Sequence, residues 1–231
     1  MIPYEKFADN CARLQERVAK AAESCGRKAS EVKILPVTKF HPLQAVEFAC
    51  KYGFAAVGEN RVQEAAEKIA AANFEMSWEL IGHLQSNKAG TAVKIFDRIQ
   101  SVDTIEILDK IDARAALVGK VQRVLLQVNS GADPAKFGAD MEDAPRLLER
   151  ALGLKNILVE GLMAIAPLDP TLKSAKICFD NLYNLRESLQ EKFSHPLPEL
   201  SMGMSDDLEL AVEAGSTMIR VGTFLFGERE K

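Results

Sequence analysis

Short apolar runs recur along this chain, each followed by a longer segment in which apolar residues return at helical spacing. The runs fall at 32–38 (VKILPVT), 54–58 (FAAVG), 78–82 (WELIG), 98–103 (RIQSVD), 124–129 (VLLQVN), 157–163 (ILVEGLM), 199–203 (ELSMG) and 218–222 (MIRVG). The segments between them carry helix punctuation. Pro42 opens and Gly53 closes LQAVEFACKYG, Asp103 stands where it can cap 104–119, and 205–215 has acids in its first turn and a terminal glycine. Strand then helix, roughly eight times over, is the grammar of a (β/α)8 TIM barrel, an α/β fold. An open doubly wound sheet shares the alternation, but its G-x-G-x-x-G fingerprint does not follow the first strand. A helix over 3–25 precedes the first strand. The expected organisation is therefore one domain spanning 1–231, with a helical extension at 1–30 and the barrel at 31–231.

At 47% hydrophobic, 231 residues can bury a full core. A net charge of -4, with no dense basic tract interleaved with aromatics, argues against nucleic-acid partners. The first residues carry charge too often for a signal peptide, and no run reaches the roughly 18 apolar residues of a membrane span, so a cytoplasmic protein is expected. Cys11, Cys25, Cys50 and Cys178 are scattered, and His41, His83 and His195 form no local pair. Free thiols, with neither a disulfide framework nor a metal site, follow from that spacing.

In a parallel barrel the C-terminal strand ends converge on the face that carries the site. The residues there are Thr38 and Lys39, Glu59 and Asn60, His83, Gln85, Asn87, Asp103, Asn129, the stretch SMGMS at 201–205 and RVGT at 220–223. Gly203 and Ser205 precede a helix, and Gly222-Thr223 offers unhindered backbone N–H groups, so the last two strand ends suggest a phosphate site. Lys39 admits two readings: an ion pair with Glu59, or an amine whose charge is disfavoured by desolvation and which attacks an aldehyde. A phosphate site opposite such a lysine suits pyridoxal 5'-phosphate. Arg220, an obligate donor, would serve a pyridine nitrogen only while that nitrogen is unprotonated, or else pair with a neighbouring acid.

The segments VTKFHP (37–42), VGENRVQE (57–64), IGHLQSNK (81–88), GLMAIAP (161–167) and LSMGMSDDLELAVEAGSTMIRVGTFLFGER (200–229) resemble the pyridoxal phosphate homeostasis proteins. The resemblance implies a barrel of the alanine racemase N-terminal type with pyridoxal 5'-phosphate as an aldimine on Lys39. It also implies that Asn60 approaches the ring hydroxyl, that Ser205, Gly222 and Thr223 hold the phosphate with Ser201 as a further member of that shell, and that Arg220 faces the pyridine nitrogen. Phe40, His41 and Glu79 depart from the family's usual residues, which leaves loop and rim chemistry open.

The resemblance further implies a non-catalytic role in intracellular pyridoxal phosphate homeostasis, buffering or delivering the cofactor, with pyridoxal-phosphate-dependent apoenzymes as partners and the chain acting as a monomer. The alternative is an amino-acid racemase or related enzyme using the same cofactor. Against it, no sequence follows for the second domain of such enzymes, and Tyr4, Tyr52 and Tyr183 fall in helices away from the expected mouth. A sugar-phosphate isomerase, with Lys39 as a plain charge, would bind no chromophore.

Overall fold

The computed structural model describes residues 1–169 and 171–227. Its strands are β1 (Lys33–Pro36), β2 (Ala56–Glu59), β3 (Ser77–Leu80), β4 (Arg98–Val102), β5 (Gln122–Gln127), β6 (Ile157–Met163), β7 (Glu199–Ser201) and β8 (Met218–Val221). They form one parallel sheet in the order β1-β8-β7-β6-β5-β4-β3-β2. Beyond the end of β1, Val37 bridges Gly58 and the Thr38 N–H donates to the Gly58 carbonyl at 3.0 Å, which joins the two ends of that order into a barrel. The seam therefore closes next to Lys39. Both faces of these strands are covered, and their apolar runs are interrupted by buried polar residues such as Glu79, Arg98, Gln100 and Arg220.

The intervening helices are α2 (Leu43–Tyr52), α3 (Val62–Ala71), α4 (Ala89–Ile95), α5 (Ile105–Leu117), α6 (Ala144–Leu152), α7 (Lys173–Phe193), α8 (Leu208–Glu213) and α9 (Thr223–Phe226), with α1 (Tyr4–Ser24) ahead of the barrel. As expected, Pro42 precedes α2 and Gly53 ends it in the left-handed conformation, φ 100°. Two boundaries differ from the sequence reading. Thr104, not Asp103, caps α5, its side chain accepting the Ile107 N–H at 3.2 Å. The helix expected from residue 205 begins only at Leu208, after Asp207 at φ -126°; the Asp207 carboxylate accepts the Met204 N–H at 2.5 Å.

Helix α1 is part of the packed structure. Phe7, Cys11, Leu14 and Val18 are buried with Leu208, Val212, Ile219, Leu225 and Phe226, and Phe7 stacks on Phe226 at 5.1 Å. Arg17 extends this contact toward the barrel mouth, with both oxygens of Glu209 and the Ser205 carbonyl as acceptors. Inside the barrel, a small apolar cluster of Leu35, Val37, Ile81 and Met218 meets a polar one. There Arg98, 3% exposed, forks onto Glu79 at 2.7 and 2.9 Å and also reaches Glu160. Close packing reaches the backbone at Gly161, where a Cβ would lie 1.9 Å from the Glu199 carbonyl oxygen.

Candidate cofactor site

A cavity of about 630 Å³ opens at the C-terminal ends of the strands. Lys39, Asn60, Ser205, Arg220, Gly222 and Thr223 all line it, drawn from four separate places in the sequence. Ser201 does not line it. That side chain is fully buried, its hydroxyl donating to Gln100 Oε1 at 2.6 Å and accepting from Arg220 Nη1 at 2.8 Å.

The turn carrying Lys39 is fixed from below. Thr38 Oγ1 donates to Glu59 Oε1 at 2.7 Å. Lys68 Nζ, on α3, donates to the Thr38 carbonyl at 2.8 Å, Glu59 Oε1 at 2.7 Å and Glu64 Oε1 at 2.8 Å. The Phe40 N–H donates to the same Glu64 oxygen at 2.5 Å, and Phe40 itself has φ 63°, a conformation uncommon outside glycine. Both neighbours of Lys39 are thus tied to α3. Glu59, offered by the sequence as the partner of Lys39, has Lys68 as its ion-pair partner. Burial pushes the Glu59 carboxyl above its ordinary value, with Lys68 and Thr38 opposing, and its Oε2 makes no hydrogen bond among the described residues.

Arg220 is placed as tightly. Nη1 donates to the Ser201 carbonyl at 2.7 Å and to Ser201 Oγ, and Nη2 to the Ala164 carbonyl at 2.8 Å. The Nε–H finds no acceptor among the described residues. Burial pulls the guanidinium down to about 10, with Asp207 opposing, so it stays charged at neutral pH. The two loops proposed for a phosphate are shaped by glycine. Gly203 has φ 95° and a Cβ there would lie 2.4 Å from Ala211 Cβ, while at Gly222 a Cβ would stand 3.2 Å from the Val37 carbonyl oxygen. Helix α9 begins at Thr223, so its first N–H groups, which have no partner within the helix, start at the cavity wall.

Of the other strand-end residues, His83 and Met204 reach the cavity; Glu59, Gln85, Asn87, Asp103 and Asn129 do not line it. Asn129 is spent on its own loop, bonding the Asp133 backbone in both directions. Sequence reasoning missed Gln127, Phe137, Ile165 and Phe224 as lining residues. Gln127 is a polar residue set between 124–126 (VLL) and Val128 in an otherwise apolar run, and that interruption is the signal that would have found it. Phe137 leaves no such signal: its ring stacks on His83 at 4.1 Å, and Gln127 Nε2 holds its carbonyl at 2.9 Å. His83 Nδ1 lies 3.6 Å from Asp103 Oδ2, whose carboxyl burial pushes up while His83 opposes. The departures separate in space. His41 lines the cavity and Phe40 is 48% exposed at the turn, whereas Glu79 is not at a rim: it is buried inside the barrel against Arg98.

A parallel barrel with a lysine after its first strand and two glycine-shaped loops at its last strands is the alanine racemase type. The family model for the alanine racemase N-terminal domain matches residues 8–230. Proteins named pyridoxal phosphate homeostasis protein from Aquifex aeolicus and Pseudomonas aeruginosa are each 38% identical; the first match covers 96% of this chain and 98% of the relative, the second 97% and 96%. The chain belongs to the pyridoxal phosphate homeostasis protein family. PipY of Synechococcus elongatus, solved with pyridoxal phosphate bound, superposes with a TM-score of 0.83 at 36% identity, covering 96% of this chain and all of that one. An alanine racemase from Clostridium difficile, 16% identical with a TM-score of 0.78 and 58% of its length covered, shares the fold. The last two residues of the long motif, Glu228 and Arg229, lie outside the described residues.

Proposed function

We propose that this protein binds pyridoxal 5'-phosphate as an aldimine on Lys39 and serves non-catalytically in its homeostasis, buffering or delivering it inside the cytoplasm. The observation that carries the reading is convergence: an amine, a charged donor with an unused N–H and two glycine-shaped loops line one cavity. These residues fit the cofactor. Lys39 supplies the amine for the aldehyde; the backbone at Gly222 and Thr223, with Ser205, supplies donors for the phosphate; and Asn60, whose carboxamide makes no hydrogen bond among the described residues, is available to the ring hydroxyl. Arg220, charged and donor-only, requires the ring nitrogen to accept. An unprotonated ring is a weaker electron sink than the pyridinium that an aspartate would hold.

Within this reading Ser201 belongs behind Arg220 and not in the phosphate shell. The chain acts as one barrel domain and as a monomer, and releases the cofactor to apoenzymes that need it. Among the described residues no helix is long and apolar enough to cross a membrane, in keeping with a cytoplasmic place of action.

Borohydride reduction of the protein incubated with pyridoxal phosphate, followed by peptide mass mapping, tests the assignment. A phosphopyridoxyl group on Lys39, absent in Lys39→Ala, is expected. Equal labelling of surface lysines would overturn it. Cα hydrogen exchange of amino acids in deuterated water faster than with free cofactor would favour the racemase instead.

A further inference from the structure

Behind Arg220 the barrel interior contains a continuous hydrogen-bond chain. Arg220 Nη1 donates to Ser201 Oγ at 2.8 Å, Ser201 Oγ donates to Gln100 Oε1 at 2.6 Å, and Gln100 Nε2 donates to Glu79 Oε2 at 2.5 Å. Gln100 and Ser201 are fully buried. The chain ends on a carboxylate whose two oxygens both accept from Arg98, at 2.7 and 2.9 Å.

Both ends have fixed polarity. A guanidinium only donates, and a carboxylate gripped by a second guanidinium only accepts. Every group between them is then fixed as well. Gln100 must turn its NH2 toward Glu79 and its carbonyl toward Ser201, and the one hydroxyl proton of Ser201 must go to Gln100, leaving a lone pair for Arg220. Nη1 spends both its N–H groups on Ser201 and Nη2 spends one on the Ala164 carbonyl, which leaves Nε–H and the second Nη2–H without an acceptor among the described residues.

We infer that Ser201 and Gln100 are positioning residues, which together with Glu79 fix the orientation of Arg220 so that its remaining N–H edge is held toward the ring nitrogen of the cofactor. This deepens the proposed function and rests on it. It also gives a role to Glu79, the buried departure from the family pattern. Glu79 sets the direction of the chain and Arg98 keeps it an acceptor. The recognised chemistry is a heteroaromatic ring nitrogen carrying a free lone pair.

The test compares two ligands on the same protein. Apparent affinities are measured for pyridoxal phosphate and for its analogue in which the ring nitrogen is replaced by C–H, on wild type, Ser201→Ala and Gln100→Leu. The wild type is expected to prefer the nitrogen-containing ligand. Each variant is expected to lose about tenfold toward it, the size of one hydrogen bond to a charged group, while changing little toward the analogue. Because each ratio is taken on one preparation, a variant that is partly unfolded still reports it. Equal losses for both ligands would make Ser201 and Gln100 merely structural and overturn the inference, as would unchanged affinities. If the wild type binds pyridoxal phosphate on Lys39 but the variants keep its full preference, only the inference falls. If the wild type does not bind it on Lys39, the function falls and the inference with it.

Discussion

Lys68 is the residue whose removal the structure prices most clearly. It is 8% exposed and donates to Thr38, Glu59 and Glu64, and its partner Glu59 is fully buried. In Lys68→Met the apolar stem is kept and the ammonium is lost, which leaves the Glu59 carboxylate buried without a counter-ion. Breaking such a pair costs about 3–5 kcal/mol when the remaining charge persists. Glu59 can instead take a proton. From an ordinary value of 4.5, doing so costs at most about 3.4 kcal/mol at pH 7 and about 0.7 kcal/mol at pH 5. The lost hydrogen bond to the Thr38 carbonyl adds about 1 kcal/mol at either pH.

The sign follows from linkage. Glu59 has a folded value raised by burial, so its contribution favours folding below about 4.5 and is lost as pH rises through the folded value. Removing Lys68 raises that value further, so the deficit of the variant must grow from acid to neutral pH. Urea unfolding of wild type and Lys68→Met, followed by circular dichroism, should show a difference of at most about 4 kcal/mol near pH 7 that shrinks below about 2 near pH 5. Adding Glu59→Gln should remove the pH dependence. A pH-independent deficit, or one under about 1 kcal/mol at pH 7, would refute the view that this pair anchors the Lys39 turn.

Three further outcomes are expected. In the native protein Cys25 should react with a thiol reagent and Cys11 and Cys178 should not, since both are buried and burial pushes the Cys11 thiol up to about 12; labelling of all four cysteines without unfolding would contradict this packing. Phe137→Ala removes the stack on His83 at the cavity wall, worth about 0.5–1.5 kcal/mol, and should speed pyridoxal phosphate dissociation by about two- to tenfold in stopped-flow release, with little change in melting temperature. Gly161→Ala places a methyl 1.9 Å from the Glu199 carbonyl between β6 and β7, and should lower stability by about 1–3 kcal/mol or more in urea titration.

Much of this molecule was legible in the order of its residues. Strands covered on both faces are rich in apolar side chains, so each run marks a strand, and the residues at its end mark the mouth. That logic located Lys39, Asn60, Ser205, Arg220, Gly222 and Thr223, all of which line the cavity. It misjudged Asp103 as a cap, because an aspartate and a threonine side by side are both capable of the role and only the local turn chooses Thr104.

What the tertiary structure alone decided depends on contacts between distant parts of the chain. The sheet becomes a barrel through the bridge of Val37 to Gly58, a pairing that no local propensity encodes. Ser201 carries the same label in sequence as Ser205, a small hydroxyl near a strand end, yet one turns inward to Gln100 and Arg220 and the other lines the cavity. Lys68 reads as an ordinary helix lysine until α3 packs under the Lys39 turn and brings its ammonium to a carbonyl thirty positions earlier. Side-chain type and period are properties of the chain. Depth within the barrel, and with it the difference between touching a ligand and supporting the residue that does, arises only when separate strands meet.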